Sequence, residues 1–210
     1  RIPCVPKFQS SLQEAYFCRI MIDVVMEIAS VCSCRNKHNH FCIGFPTLFI
    51  ALAYPMFYFC PIRGIAEHNL PCCLMHNRKE KNYQNFMDEV FCDFSETIQI
   101  AQKAGISNDK IILDPGVGFA KSYENNLTAI KEVGRLKALG YPVLLGTSRK
   151  SVVGLTLDTT KEERVEGTLV TTVFGVQQQC AFVRVHDIKE NMRAIRMTQA
   201  IMNEKKQVEK

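Results

Sequence analysis

Charge and glycine are scarce in the first third of this chain. Residues 1–70 carry ten charged side chains and two glycines against 37 and nine in residues 71–210, yet hold six of the ten cysteines. No long run of one charge sign exists. Lys and Arg total 26 against 21 Asp and Glu, and a formal charge of +5 over 210 residues leaves no basic stripe of the kind nucleic acid needs, so no nucleic-acid partner is expected. There is no Gly-x-Gly-x-x-Gly fingerprint, no P-loop, and no Ser-His-Asp or Cys-His order, which points away from dinucleotide binding and covalent catalysis. The cysteines follow no regular framework, and in a chain this long they read as mostly free thiols in a reducing compartment, hence a cytoplasmic protein. Arg1-Ile2-Pro3-Cys4 has no initiator Met and no signal-peptide order, so it reads as the start of a fragment or an incomplete gene model.

Two features of the charge-poor segment invite a function. Phe41 to Ile62 is 22 residues without a charge, about the length that spans a bilayer's hydrocarbon core, but Pro46, Pro55 and Pro61 interrupt it. A membrane tether there is the alternative to a cytoplasmic location. Cys32, Cys34, His38, His40 and Cys42 collect five soft ligands, enough in number for a tetrahedral zinc site, yet with spacing that matches none of the common fingers. The reading is a chance cluster in a cysteine-rich stretch, and no protein-held metal is assigned.

After Leu70 a regular pattern begins and repeats four times: a short apolar strand, polar residues at its C-terminal end, then an amphipathic helix. Strands are expected near 72–75, 110–114, 142–146 and 181–185. Phe86, Val90, Phe94, Ile98 and Ala101 mark the first helix, stopped by Gly105, and Leu127, Ile130, Val133 and Leu136 mark the second, up to Gly140. Thr160 to Glu163 makes a capping box that opens the next, and Ile188, Met192, Ile195 and Ile201 carry the last. Such alternation implies parallel strands covered by helices, with ligands bound at the strands' C-terminal ends.

Those ends carry Asp114, Lys150, Arg184 and His186. Arg and His offer donors to an anion such as pyrophosphate, while an Asp carboxylate can accept two parallel N–H bonds from an amino-heterocycle. A substrate with two ends fits this set, and the catalysis it suggests is electrostatic positioning of a group transfer.

Five colinear motifs then carry a resemblance: Leu74-Met75-His76-Asn77-Arg78, Ile111 through Lys121 (IILDPGVGFAK), Leu144 through Ser151 (LLGTSRKS), Glu163 through Thr168 (ERVEGT), and Val183-Arg184-Val185-His186-Asp187. From about Gly64 to Met202 the chain resembles dihydropteroate synthase. That family is a TIM (β/α)8 barrel that condenses 6-hydroxymethyl-7,8-dihydropterin pyrophosphate with p-aminobenzoate, giving dihydropteroate and pyrophosphate for folate biosynthesis. The resemblance implies an α/β fold, a partial barrel with strands five to eight recognisable, and three parts: an unmatched Cys/Phe-rich segment over 1–63, a pterin-binding unit over 64–204 and a basic tail over 205–210.

By motif, the resemblance implies that Met75, Asp114, Lys150 and Arg184 bind the pterin, Phe119 and Ser151 contact p-aminobenzoate, and Arg184 with His186 holds the departing pyrophosphate. Lys150, Arg184 and His186 would then be the catalytic set. It further implies Mg²⁺ brought on the substrate's pyrophosphate, sulfonamide-type competitors and a homodimer. Residues 1–70 lack the family's Asn-Val-Thr-Pro-Asp and Asp-x-Gly-Gly-Glu-Ser loops, so the usual protein ligand of Mg²⁺ is not found. A full barrel needs about 250 residues, and the expectation is a truncated or irregular first half and a weakly active or inactive chain. Gln177-Gln178-Gln179 replaces a commoner turn and suggests relaxed constraint. The competing readings are a pterin-binding methyltransferase domain and a degenerate, non-catalytic half-barrel.

Overall fold

A computed structural model describes residues 61–204. The expectations for the 1–63 segment up to residue 60, for nearly all of Phe41 to Ile62, for the Cys32–Cys42 cluster and for the 205–210 tail lie outside the described residues. Among the described residues no helix is long and apolar enough to cross a membrane, and Cys72 and Cys180 are buried free thiols.

The chain opens with helix α1 (Pro61–Glu67) and strand β1 (Cys72–Met75). After helix α2 (Phe86–Lys103) comes strand β2 (Ile111–Asp114), which pairs in parallel with β1 in the register Cys72 to Ile111 through Met75 to Asp114. Helix α3 (Tyr123–Lys131) leads to strand β3 (Leu144–Leu145), joined to β2 by a parallel bridge between Leu113 and Val143 and by the Leu113 N–H donating to the Pro142 carbonyl at 2.9 Å. Helices α4 (Ser151–Leu157) and α5 (Val165–Gln177) precede strand β4 (Phe182–Val183), parallel to β3, and helix α6 (Ile188–Met202) closes the described part. Four strands therefore lie side by side in chain order, alternating with helices, as the hydrophobic pattern predicts.

The α2 face is the clearest case of sequence setting structure. Val90, Phe94, Ile98 and Ala101 recur at helical spacing and are all buried, Phe86 packs at the edge, and Asp88 and Glu89 stand in the first turn where the helix dipole favours anions. Gly105 adopts φ 93° just past the helix end. Phe94, Ile111, Leu113, Val117, Leu136, Val143 and Leu145 form the centre of the core between helices and strands.

Five expectations are corrected. Strands β3 and β4 are two residues each rather than five. The helix expected to run to Gly140 instead gives way after Lys131 to a 3-10 segment over Val133–Leu139, and Leu127 is 40% exposed. Gln178 bridges that break: its Nε2 donates to the Ile130 carbonyl at 3.0 Å and its Oε1 accepts from the Gly134 N–H at 2.9 Å. Two backbone groups that a continuous helix would have paired are satisfied by this one amide, so Gln178 is under structural constraint rather than released from it. Thr160 and Glu163 do bond, the hydroxyl donating to the carboxylate at 2.9 Å, but α5 starts two residues later with Arg164 at its N-cap position.

The fifth correction concerns α6. Ile188 and Ile201 are each 64% exposed, and the buried stripe is Asn191, Ile195 and Thr198. Burial of these polar groups is tolerated because each has a partner. The Thr172 hydroxyl on α5 donates to Asn191 Oδ1 at 2.6 Å, the Asn191 amide donates to the Asp187 carbonyl at 2.8 Å, and Thr198 bonds back to the Ala194 carbonyl at 2.8 Å. Asn191→Ala would leave the buried Thr172 hydroxyl without its acceptor. The expected cost is about 1–3 kcal/mol, read as a lower urea midpoint at unchanged slope; an unchanged midpoint would show that α5 and α6 do not depend on this pair.

Candidate functional site

The parallel register brings the C-terminal ends of the strands to one side. At the end of β1, Met75 is buried opposite Asp114 in the ladder, and the His76 N–H donates to the Asp114 carbonyl at 2.9 Å. The chain after β2 then turns so tightly that a side chain at 116 would begin 2.0 Å from the His76 carbonyl oxygen, with φ at 65°, so only glycine fits. The same turn lets the Gly116 N–H donate to Asp114 Oδ1 at 2.8 Å. One carboxylate oxygen is thereby held, and the other lies toward Gly146: a side chain on Gly146 would begin 3.6 Å from Asp114 Oδ2 and 3.3 Å from both Nε and Nη2 of Arg184. Asp114 and Arg184 thus flank the bare backbone of Gly146. Burial pushes the Asp114 carboxyl above the usual range, opposed by the Gly116 N–H and by the charges of Lys150, Arg184 and Lys121.

Lys150 stands at the N-cap position of α4 and reaches across to the β2 loop. Its ammonium donates to the Val117 carbonyl and lies 4.6 Å from the centroid of the Phe119 ring. Ser151, the first residue of α4, is exposed beside it. On the neighbouring strand end, His186 is exposed, with its N–H donating to Ser148 Oγ at 3.1 Å and its Nδ1 2.9 Å from the same oxygen. Met75, Asp114, Phe119, Lys150 and Arg184 are therefore gathered at adjoining strand ends. His186 is tied to the β3 loop through Ser148, and Ser151 joins this set through its place next to Lys150. Among the described residues no cluster of three or more His, Cys, Asp or Glu side chains is arranged to hold a metal.

Two charged networks around this set were given no role by the sequence. Arg149, at φ 55°, donates through Nε and Nη2 to both oxygens of Asp187 at 3.0 and 2.5 Å, while its backbone N–H and carbonyl are held by Thr168 and Arg164 at 3.1 and 3.0 Å. That pairing lowers the Asp187 pKa. Behind β1, His76 Nε2 lies 3.0 Å from Asp93 Oδ2, and Arg78 grips Asp93 at 2.6 and 3.1 Å and Glu89 at 2.6 Å. Lys121 is 4% exposed and meets His76 Nδ1 at 3.0 Å. An ammonium has no lone pair, so Nδ1 accepts and Nε2 carries the hydrogen donated to Asp93. Glu89 and Asp93 are four apart on α2, a spacing that puts both on one face and could have marked them as partners for a nearby Arg.

A family profile described as pterin binding enzyme matches residues 61–186. Among curated relatives, the dihydropteroate synthase of Clostridium beijerinckii is 54% identical over 138 residues, covering 65% of this chain and 51% of that one. That of Bacillus subtilis is 48% identical over 138 residues, covering 66% and 48%. The chain spans about half the length of the curated relatives it matches. A crystal structure of dihydropteroate synthase from Clostridium difficile, determined in the presence of pteroic acid, superposes with a TM-score of 0.66 at 43% identity, covering 68% of this chain and 55% of that one. A Yersinia pestis dihydropteroate synthase in a sulfonamide drug complex gives 0.66 at 32%, covering 69% and 55%. These neighbours imply a TIM-barrel-like α/β fold for the matched part.

Burial holds the His76 imidazole down from 6.5 to about 4, against the pull of the Asp93 hydrogen bond. Because the folded value is depressed, the unfolded chain binds the extra proton first, and stability present above pH 6.5 is lost as pH falls toward 4. The full loss from this one group is about 3 kcal/mol. Lys121, held down by burial at about 7, is mostly protonated in both states within that window and adds little slope there. Thermal midpoints followed from pH 7 to 4 should fall more steeply in the native protein than in His76→Gln, and parallel curves would mean that His76 is not buried neutral.

Proposed function

The chain belongs to the pterin-binding enzyme family, and from that premise we propose that it carries the substrate-binding end of a dihydropteroate synthase. Its four βα units would be strands five to eight of the barrel, within a pterin-binding unit over residues 64–204. The observation that supports this most is the placement of Asp114 and Arg184 on either side of Gly146, with Lys150, from the start of α4, over the ring of Phe119 on the loop after β2. A buried carboxylate with one oxygen fixed by Gly116 offers the other to the amino and ring N–H groups of a pterin, and a bare glycine leaves a flat slot beside it. Lys150 would hold the pterin's carbonyl and ring nitrogen, and Met75 would close the slot from below.

In the reaction the amine nitrogen of p-aminobenzoate forms a bond to the pterin methylene as the carbon–oxygen bond to pyrophosphate breaks. The amine's proton is released and the electron pair leaves with the pyrophosphate. Charge grows on that leaving oxygen, so Arg184 and His186, donors fixed before the bond breaks, would lower the barrier. Phe119 and Ser151 would receive the aminobenzoate ring, which is also where a sulfonamide-type competitor would sit. Mg²⁺ would arrive on the substrate's pyrophosphate; the described residues provide no carboxylate cluster for it, and no step is assigned to it. A homodimer remains part of the proposal.

Calorimetry with 6-hydroxymethylpterin tests the slot. Asp114→Asn exchanges a charged acceptor for an amide with one mismatched donor and should weaken binding by about 1.5–3 kcal/mol. Equal affinity for the two proteins would remove Asp114 from the site. Pyrophosphate release that requires both the pterin pyrophosphate and p-aminobenzoate tests the transfer. Binding without release would keep the pterin reading and make this chain a non-catalytic pterin-binding unit.

A further inference from the structure

The sequence reading leaves Lys121 without a task, although it is a cation with 4% exposure. Its ammonium has three hydrogens and finds the Gly116 carbonyl at 2.9 Å, the Phe119 carbonyl at 3.0 Å and His76 Nδ1 at 3.0 Å, with the His76 carbonyl slightly farther at 3.3 Å. Burying a charge is costly unless it is fully hydrogen-bonded, and here every hydrogen has an acceptor. The acceptors lie on two different segments. Two belong to the loop after β2, and two belong to His76, the residue that follows β1. Lys121 therefore ties that loop to the sheet from beneath.

The loop needs a tie. Gly116, Gly118 and Ala120 all have positive φ, at 65°, 89° and 45°, so three of five consecutive residues sit in the left-handed region. Alanine gains nothing there from its side chain, and the conformation persists only if the surroundings hold it. They do so on each side of Phe119. Asn126 Oδ1 accepts the Gly118 N–H at 2.6 Å, the Tyr83 hydroxyl donates to the Ala120 carbonyl at 3.0 Å, and Lys121 takes the Phe119 carbonyl itself. His76 is oriented for its part by Asp93, which Arg78 grips in turn. The charged groups that bear on Lys121 are Asp114, Lys150, Asp93 and Arg78.

Resting on the proposed function, we infer that Lys121 is a positioning residue that fixes the Phe119 ring for the aminobenzoate end of the substrate while leaving the pterin end to Asp114. The Phe119 ring is what this clamp presents, with Lys150 over its face at 4.6 Å. The bonds that hold Asp114 itself are those of the strand ladder and of the Gly116 N–H. Release of the clamp should move the ring and spare the slot.

Two ligands distinguish the ends: 6-hydroxymethylpterin occupies the pterin slot alone, and pteroic acid spans both ends. In the full chain, Lys121→Met should weaken pteroic acid binding by about tenfold or more, while hydroxymethylpterin binding stays within about twofold. A merely destabilising change would lower both alike. Tyr83→Phe, which removes only the hydroxyl on the Ala120 carbonyl, should give the same selectivity to a smaller degree, and it serves if Lys121→Met does not fold. Failure of the native protein to bind hydroxymethylpterin would overturn the functional reading itself. Native protein that binds both ligands, with both affinities unchanged or equally reduced in the variants, would overturn the role of Lys121 alone, as would native protein that binds pteroic acid no better than hydroxymethylpterin.

Discussion

One register holds the site together: Met75 opposite Asp114 in the parallel ladder of β1 and β2. Side chains along a strand alternate between faces, so a slip of one residue would turn Asp114 away from the strand-end mouth and put Leu113 there in its place. Leu113 is fully buried and also bridges to Val143, so the slip would expose a core side chain and break the link to β3 at once. The apolar core and the candidate binding carboxylate are thus fixed by the same set of backbone bonds. The His76 N–H extends that ladder by one step, onto the Asp114 carbonyl, and every later feature of the mouth is built on this step.

Charge at the mouth is balanced among neighbouring side chains. The charges of Lys150, Arg184 and Lys121 bear on Asp114, those of Asp114 and Lys150 bear on Lys121, and the Asp93, Arg78 and Glu89 network lies immediately behind. Against its burial, the two carboxylates raise the Arg78 pKa further, so it stays a cation. His76 is neutral in this setting and acts as a spacer with one donor and one acceptor. A neutral imidazole between a lysine and an aspartate passes no net charge, but it fixes the angle between the β1 end and α2 more firmly than a flexible side chain would.

The strands, their parallel order and the α2 core face were legible because each rests on local periodicity. Val90, Phe94, Ile98 and Ala101 repeat at helical spacing, and the apolar triplet Ile111 to Leu113 ends in a polar residue. The gathering of Asp114, Lys150 and Arg184 followed from topology, since parallel strands place their ends side by side. The α6 stripe was not legible, because Asn191 and Thr198 are buried on the strength of bonds to Thr172, Asp187 and Ala194 that no hydropathy pattern records. Lys121 was missed for the same reason. Its acceptors are backbone carbonyls, which every residue has, so the sequence carries no mark of them. Gln178 stands in a run of three glutamines and looked uninformative until the broken helix it repairs was located.

The brevity of β3 and β4 has a cause in the mouth itself. The backbone ladder runs from the Phe182 N–H on the Val143 carbonyl to the Arg184 N–H on the Leu145 carbonyl at 3.0 Å, and beyond it backbone donors turn to side chains. The His186 N–H goes to Ser148 Oγ and the Arg149 N–H to Thr168 Oγ1, while the Thr147 and Thr171 hydroxyls bond each other at 2.6 Å. Had the ladder continued, the two strand ends would have stayed about 4.8 Å apart, closing the space beside Gly146. Hydroxyls in place of carbonyls let the chains part while keeping their N–H groups satisfied. A run such as Thr147-Ser148 after an apolar strand is therefore the chemical means by which this sheet stops pairing and opens the candidate site.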